Sequence, residues 1–307
     1  MVVAAMAVRA PVAHAQQTHV LIVSGLSGAP VYKQSFALAV AAVKEAARTK
    51  WGVNDSSLIV LTEDTAPSAV SQGPSTKDGI AKAFTRLSTR VKPGDQLLVL
   101  LLGHGSGEGA GSKVNLPGPD ATAADYNLWL SGFSRQSVVF VNAATGSGDF
   151  LPVMNAPGRV IVTATRSAVE KNESIFASHF AKALASDEAD ADKDKRISVL
   201  EAFQYTTREV AKVYDGSGRM QTEHAQISDS TKAMTVSFGK TVVNNDPRVA
   251  ALIAERQALE SEVAALRAKK DTMDPATYDK ELERLLLAIA EKSQAIRAAG
   301  NPPGAQP

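Results

Sequence analysis

The chain predicts an α/β fold, a mostly parallel sheet flanked by helices in three layers, followed by a C-terminal helical hairpin or coiled coil. Three observations predict it. The runs Gln96-Leu97-Leu98-Val99-Leu100-Leu101-Leu102 and Ser137-Val138-Val139-Phe140-Val141-Asn142 are apolar without alternation, as parallel strands covered on both faces are. Segments with apolar residues at helical spacing alternate with such runs. After Asn244 the composition changes to two long segments with a spacing of three and four.

Taken in order, His19 to Ser24 is the first strand, and the Gly25 to Gly28 turn leads into a helix over about Lys33 to Arg48, with Phe36, Val40 and Val43 on one face. That turn lacks the dinucleotide and phosphate-loop patterns, so an ordinary strand-to-helix turn is favoured over a phosphate cradle. Leu58 to Thr62 is a second strand, and Lys77 to Arg90 a helix burying Ile80, Ala83, Phe84 and Leu87. Pro93-Gly94-Asp95 turns the chain into the central strand. Gly107 to Gly111 is too rich in glycine for regular structure and predicts a flap. A helix over Ala121 to Leu130 precedes the strand at Val138, and Arg159 to Thr163 is a further strand. Ala233 to Val236 reads as an edge strand. Asp246-Pro247 and Asp274-Pro275 each place an N-cap before proline at the first helical position. The first of these helices carries Val249, Leu252, Leu259, Val263 and Leu266, interrupted by Arg256; the second carries Tyr278, Leu282, Leu285, Ile289 and Ile296. About three heptads in each fit a helix pair that folds back on itself or dimerises. The tail from residue 301 to 307 is rich in proline and predicts disorder.

In open parallel sheets, ligands bind at the carboxyl ends of the strands. Here one strand ends in Gly103-His104-Gly105-Ser106 and another in Ala143-Ala144-Thr145-Gly146-Ser147-Gly148, so a histidine and a hydroxyl cluster face one crevice. A strand ending in His-Gly followed by one ending in Cys-x-Ser-Gly resembles the caspase-hemoglobinase fold, and Gly-His-Gly-Ser is most similar to the legumain-like and bacterial caspase-like peptidases. The resemblance spans roughly Thr18 to Phe238. It implies that His104 belongs to a catalytic dyad and that Gly105 gives a backbone N–H to an oxyanion hole. The nucleophile departs from the pattern, because the chain has no cysteine. Aligning Cys-x-Ser-Gly on Thr145-Gly146-Ser147-Gly148 puts Thr145 in its place; a shift of one residue would put Ala144 there. The first register keeps Ser-Gly and is preferred. The resemblance also makes Arg166, after the strand ending at Thr163, a substrate-recognition candidate, against the plainer reading of a solvated loop arginine. It implies no particular substrate, since the pocket residues that give legumains asparaginyl specificity have no match.

The segment from Asp190 to Glu201 follows the oxygen-ligand spacing of an EF-hand loop. Asp190, Asp192 and Asp194 stand at positions one, three and five, the Arg196 carbonyl at seven, Ser198 at nine and Glu201 at twelve. Helical segments flank it, from Glu173 to Leu184 and from Leu200 to Val213. Lys195 stands where glycine makes the turn, so it must adopt a positive φ or distort the loop. Weak calcium binding is one expectation; the other is an acidic loop that only caps helices. His224 follows a polar turn and has no spaced partner, which favours a packed or exposed residue over a functional one.

At 307 residues the chain fits about two domains of ~150 residues, or one large domain with an appendage, spanning 16–243 and 244–300. The balance of 33 basic and 32 acidic residues excludes an electrostatic footprint for nucleic acid. Zero cysteines exclude disulfides, thiolate metal sites and thiol catalysis. Residues 1–15 are small and apolar and end in Ala13-His14-Ala15, which reads as a secretory signal peptide or as a frayed tail. No later run reaches the ~20 apolar residues of a membrane span. An exported protein, periplasmic or secreted, is expected.

A threonine hydroxyl needs a base to take its proton, and its β-branch restricts the rotation that attack requires. The sequence therefore favours a non-proteolytic module that holds a peptide or protein in the cleft and assembles with copies of itself through its C-terminal helices. The alternative is a peptidase-type hydrolase with Thr145 or Ser147 as nucleophile and His104 as base.

Overall fold

A computed structural model describes residues 16–64, 70–239, 247–267 and 272–300. Residues 1–15, on which the signal-peptide reading falls, residues 244–246, most of the linker between the last two helices and the 301–307 tail lie outside the described residues.

The first half of the chain runs β1 (Thr18–Ser24), α1 (Pro30–Thr49), β2 (Leu58–Thr62), β3 (Gly73–Pro74), α2 (Lys77–Ser88) and β4 (Gln96–Leu102). Three short strands follow, β5 (Gly105–Ser106), β6 (Lys113–Val114) and β7 (Ala121–Thr122), then α3 (Ala123–Leu130), β8 (Ser137–Asn142), α4 (Phe150–Met154) and β9 (Arg159–Thr163). The rest is α5 (Phe176–Ala185), β10 (Ile197–Ser198), α6 (Val199–Ser217), β11 (Gln226–Ile227), α7 (Ser230–Thr235), β12 (Ser237–Phe238), α8 (Pro247–Arg267) and α9 (Pro275–Gly300).

Seven strands form the main sheet in the order β11-β9-β8-β4-β1-β2-β3. All neighbouring pairs are parallel except β11 against β9. Strand succession runs one way from β1 to β3 and the other way from β4 to β9, so the topological switch point falls between β1 and β4. The uninterrupted apolar runs have two covers to satisfy. Val20, Ile22, Leu98 and Val139 pack with Phe36, Val40, Phe176 and Phe180 on one face, while Leu21, Val23, Leu97 and Phe140 pack with Ile80, Phe84, Tyr126 and Phe150 on the other. Helix starts are fixed by side chains: Thr76 caps α2, and Thr122 with Asp125 makes a capping box for α3.

Two details depart from the sequence pattern. The segment Ala233 to Val236 is not an edge strand; Asp229 accepts from the Lys232 N–H and starts α7, and only Ser237 and Phe238 are extended, paired antiparallel with Ile197 and Ser198. The glycine-rich flap contains one 3-10 turn, Gly109–Gly111, whose Gly109 N–H donates to Asp149 at 2.7 Å.

At the C-terminus, Glu255 pairs with Lys292 and Glu262 with Arg284, which sets α8 and α9 antiparallel. Val263, Leu266, Tyr278 and Leu285 form their shared core, so the apolar seam is filled within the chain by folding back. No helix among the described residues is long and apolar enough to cross a membrane.

Candidate functional site

The loops after β1, β4, β8 and β9 meet at the carboxyl end of the sheet. Their backbones approach so closely that a Cβ on Gly105 would lie 2.3 Å from the Thr145 carbonyl oxygen, and one on Gly148 would lie 2.2 Å from the Arg166 carbonyl carbon. Side-chain atoms could not be accommodated there without moving backbone, which is why both positions are glycine.

His104 extends from the end of β4 across the switch point. Its Nε2 lies 3.1 Å from the Ser27 carbonyl oxygen, an acceptor, so Nε2 donates a hydrogen there. Tyr32 meets the ring edge-on at 4.9 Å and Phe36 lies at 5.6 Å. The turn before α1 is closed by Glu63, which accepts from the Ser27 N–H and hydroxyl; it is a carboxylate-closed turn with no free phosphate cradle.

Thr145 is 4% exposed, and its Oγ1 accepts from the Gly105 N–H at 3.2 Å. The donor expected of an oxyanion hole and the residue in the nucleophile register therefore face each other. Ala144 is buried in the apolar core beneath the loop. No hydrogen bond joins His104 to Thr145 or Ser147 among the described residues. Ser147, 1% exposed, accepts from the N–H groups of Ala164 at 3.0 Å and Thr165 at 3.3 Å, and lies 3.3 Å from the Thr165 hydroxyl. Its oxygen ties the β8 loop to the end of β9.

Arg166 sits on the rim with an exposed guanidinium 3.5 Å from Glu170. Glu170 is the residue that organises this rim, and sequence reasoning missed it. Its carboxylate accepts from the N–H groups of Arg166 and His224 and meets His224 Nδ1 at 2.7 Å, while its backbone carbonyl accepts from Gly146. Burial pushes the Glu170 carboxyl up, but these hydrogen bonds outweigh it and hold the group below its ordinary value. His224 thus joins the crevice rim through a partner 54 residues away, a separation that no local spacing reveals. Asp149 was missed too: it accepts from Gly109 and from Ala168, linking the flap to the β9 loop.

The acidic loop lies apart from this crevice. Lys195 adopts φ 67° and Lys193 φ 59°, so lysine takes the left-handed conformation that glycine would take freely. Asp190 accepts from the N–H groups of Asp194 and Lys195, and Asp194 from that of Arg196. Ser198 and Glu201 form the capping box of α6, and the second Glu201 oxygen accepts from Ala191 and Asp192. One oxygen from each of Asp190, Asp192 and Asp194 lies within 4.8 Å of the others. This oxygen-only donor set, in ion-binding spacing, suits a hard divalent cation such as calcium. Burial, and after it the crowding of like charge, raises Asp190 and Asp192 above the ordinary carboxylate value, Asp192 to about 7, with Arg256 working against the rise at Asp192.

A cavity of about 490 Å³ opens at the opposite, amino-terminal edge of the sheet, between Gln16, Trp51, Asn54, Gln96 and Arg196. Apart from Arg196 it is lined by amides, hydroxyls and apolar groups and offers no nucleophile or base. The convergence of His104, Thr145, Glu170 and His224 makes the carboxyl-end crevice the better candidate.

No family model matches the chain, and no curated protein matches it. Among solved structures, the chain is similar to caspase-1 from Spodoptera frugiperda at 14% identity, over 74% of this chain and 94% of that one, with a TM-score of 0.43.

Proposed function

We propose that this chain is a non-proteolytic module of caspase-like type that holds a peptide or protein segment in the crevice at the carboxyl end of its sheet. The observation that carries this reading is where the reactive groups spend their hydrogen bonds. His104 Nε2 donates to Ser27, Gly105 N–H donates to Thr145, and the Ser147 oxygen is taken by two backbone N–H groups. Among the described residues no hydrogen bond joins the base to either hydroxyl, and the oxyanion donor is taken by the threonine oxygen itself, so the proton-transfer contact that attack needs is not made. The lack of cysteine supports the same reading, since a buried threonine lacks the thiolate that makes such a site react near neutral pH. Export belongs to the proposal as well, on the Ala13-His14-Ala15 pattern.

One observation favours the hydrolase alternative: Thr145 stands directly on the Gly105 N–H. A mixed peptide library incubated with the full chain, and with Thr145→Ala and His104→Ala variants, separates the two by mass spectrometry of products and fluorescence anisotropy of labelled peptides. Saturable binding without products, retained in Thr145→Ala, is expected. Cleavage that both substitutions abolish would overturn the proposal in favour of a threonine hydrolase.

A further inference from the structure

The acidic loop already faces a cation, and it comes from the chain itself. Arg256, 64 and 62 residues beyond Asp192 and Asp194, places Nη1 2.8 Å from Asp192 Oδ2 and Nη2 2.8 Å from Asp194 Oδ2. Its side chain is only 10% exposed, although it belongs to a helix of the C-terminal hairpin. In sequence Arg256 breaks the apolar seam of α8, and the loop carboxylates account for that break.

A guanidinium and a calcium ion make incompatible demands on these oxygens. The planar fork spreads two carboxylates along its edge, each bonded to its own nitrogen. Calcium needs six to eight oxygens converging on one point at about 2.3–2.6 Å, and positions three and five of the loop supply two of them. The same Oδ2 atoms cannot serve both at once. The Oδ1 atoms of Asp192 and Asp194 already accept the Asp194 and Arg196 N–H groups, so the Oδ2 atoms are the ones the guanidinium and an ion would contest, while Asp190 and Glu201 spend their oxygens on backbone N–H groups and the α6 cap.

We propose that Arg256 is a latch that clips the C-terminal hairpin onto the acidic loop, and that calcium and the latch exclude each other, so that calcium loading frees the start of α8. The latch does not depend on what the carboxyl-end crevice holds, and a crevice without peptide affinity leaves it unaltered. The hairpin keeps its own core of Val263, Leu266, Tyr278 and Leu285, so unlatching shifts it as a unit and leaves it helical.

The test is calcium titration of the full chain by calorimetry, paired with amide hydrogen exchange over residues 247–267, in the native protein and in Arg256→Met, Arg256→Lys and Asp194→Asn. If the latched state holds nine molecules in ten, removing it with Arg256→Met tightens calcium binding about tenfold. Arg256→Lys, which keeps the charge without the fork, falls between the two and serves if the methionine variant does not fold. In the native protein calcium raises exchange in α8, and in Asp194→Asn it does not. Equal calcium affinity with and without the arginine, binding that leaves α8 exchange unchanged, or no calcium binding in any of the four proteins would each overturn the proposal.

Discussion

The 143–149 loop and the 190–201 loop both look reactive in sequence, and they end in opposite conditions. In the first, Thr145 and Ser147 are buried hydroxyls whose oxygens accept backbone N–H groups from Gly105, Ala164 and Thr165. Neutral partners from neighbouring loops close it. In the second, Asp190, Asp192 and Asp194 accept the N–H groups of Asp194, Lys195 and Arg196 and still carry more negative charge than those dipoles offset, so a guanidinium from a distant helix completes it. The comparison teaches that a polar cluster is classed by what it still needs after its own backbone has been served. The hydroxyl loop needs nothing further to be stable. The acidic loop needs a cation.

The sharpest way to break that contrast is Ser147→Ala. It strips two buried N–H groups of their acceptor and should cost about 2–3 kcal/mol in urea unfolding, with Thr145→Ala costing about 1 kcal/mol because only the Gly105 N–H is orphaned. Equal losses would mean that Ser147 is not the tie between β8 and β9. Glu170 gives a smaller effect with a signature in pH. Folded, it binds its proton less readily than the ordinary value of 4.5, so its contribution is complete above that value and fades as pH falls through the lower folded one. Glu170→Gln should lower stability at pH 7 by about 1–2 kcal/mol and flatten the dependence below 4.5. A variant curve parallel to the native one would show that the rim is held by other groups. The smallest change has the opposite sign. Lys195→Gly removes a left-handed lysine and should raise stability by about 0.5–1 kcal/mol, the relief of strain less the entropy of glycine. No gain in melting temperature would mean that the acidic loop carries no backbone strain.

Much of the architecture was legible because its causes are local. Six consecutive apolar residues from Leu97 to Leu102 can be satisfied only between two layers of helices, and the Asp-Pro pairs at 246 and 274 mark helix starts whatever follows them. The segment at Ala233 was misread because four residues are too few to separate a period of 2 from one of 3.6, and the Asp229 cap outweighed the strand propensity of Thr235 and Val236. In the crevice, His104, Gly105 and Thr145 were readable from the ends of strands. Glu170 with His224 was not, because a pair brought together by loops across 54 residues has no period in the sequence. The positive φ at Lys195 is one of the two outcomes the loop spacing allowed, and the arginine that answers the loop was visible only as a break in an apolar seam.

The position of β1 has a consequence for how the molecule is made. It leaves the ribosome before both strands it pairs with and is central in the finished sheet, with β2 on one side and β4 on the other. Its partner residues in β4 lie 78 positions later, so at about 5–20 residues per second one whole edge of Val20-Leu21-Ile22-Val23 stays unpaired for about 4–16 s of synthesis. An apolar strand edge left open that long invites pairing with other chains. The nascent protein therefore passes an aggregation-prone interval before Leu102 is made, and a holding chaperone would have to shield the segment from β1 to β4.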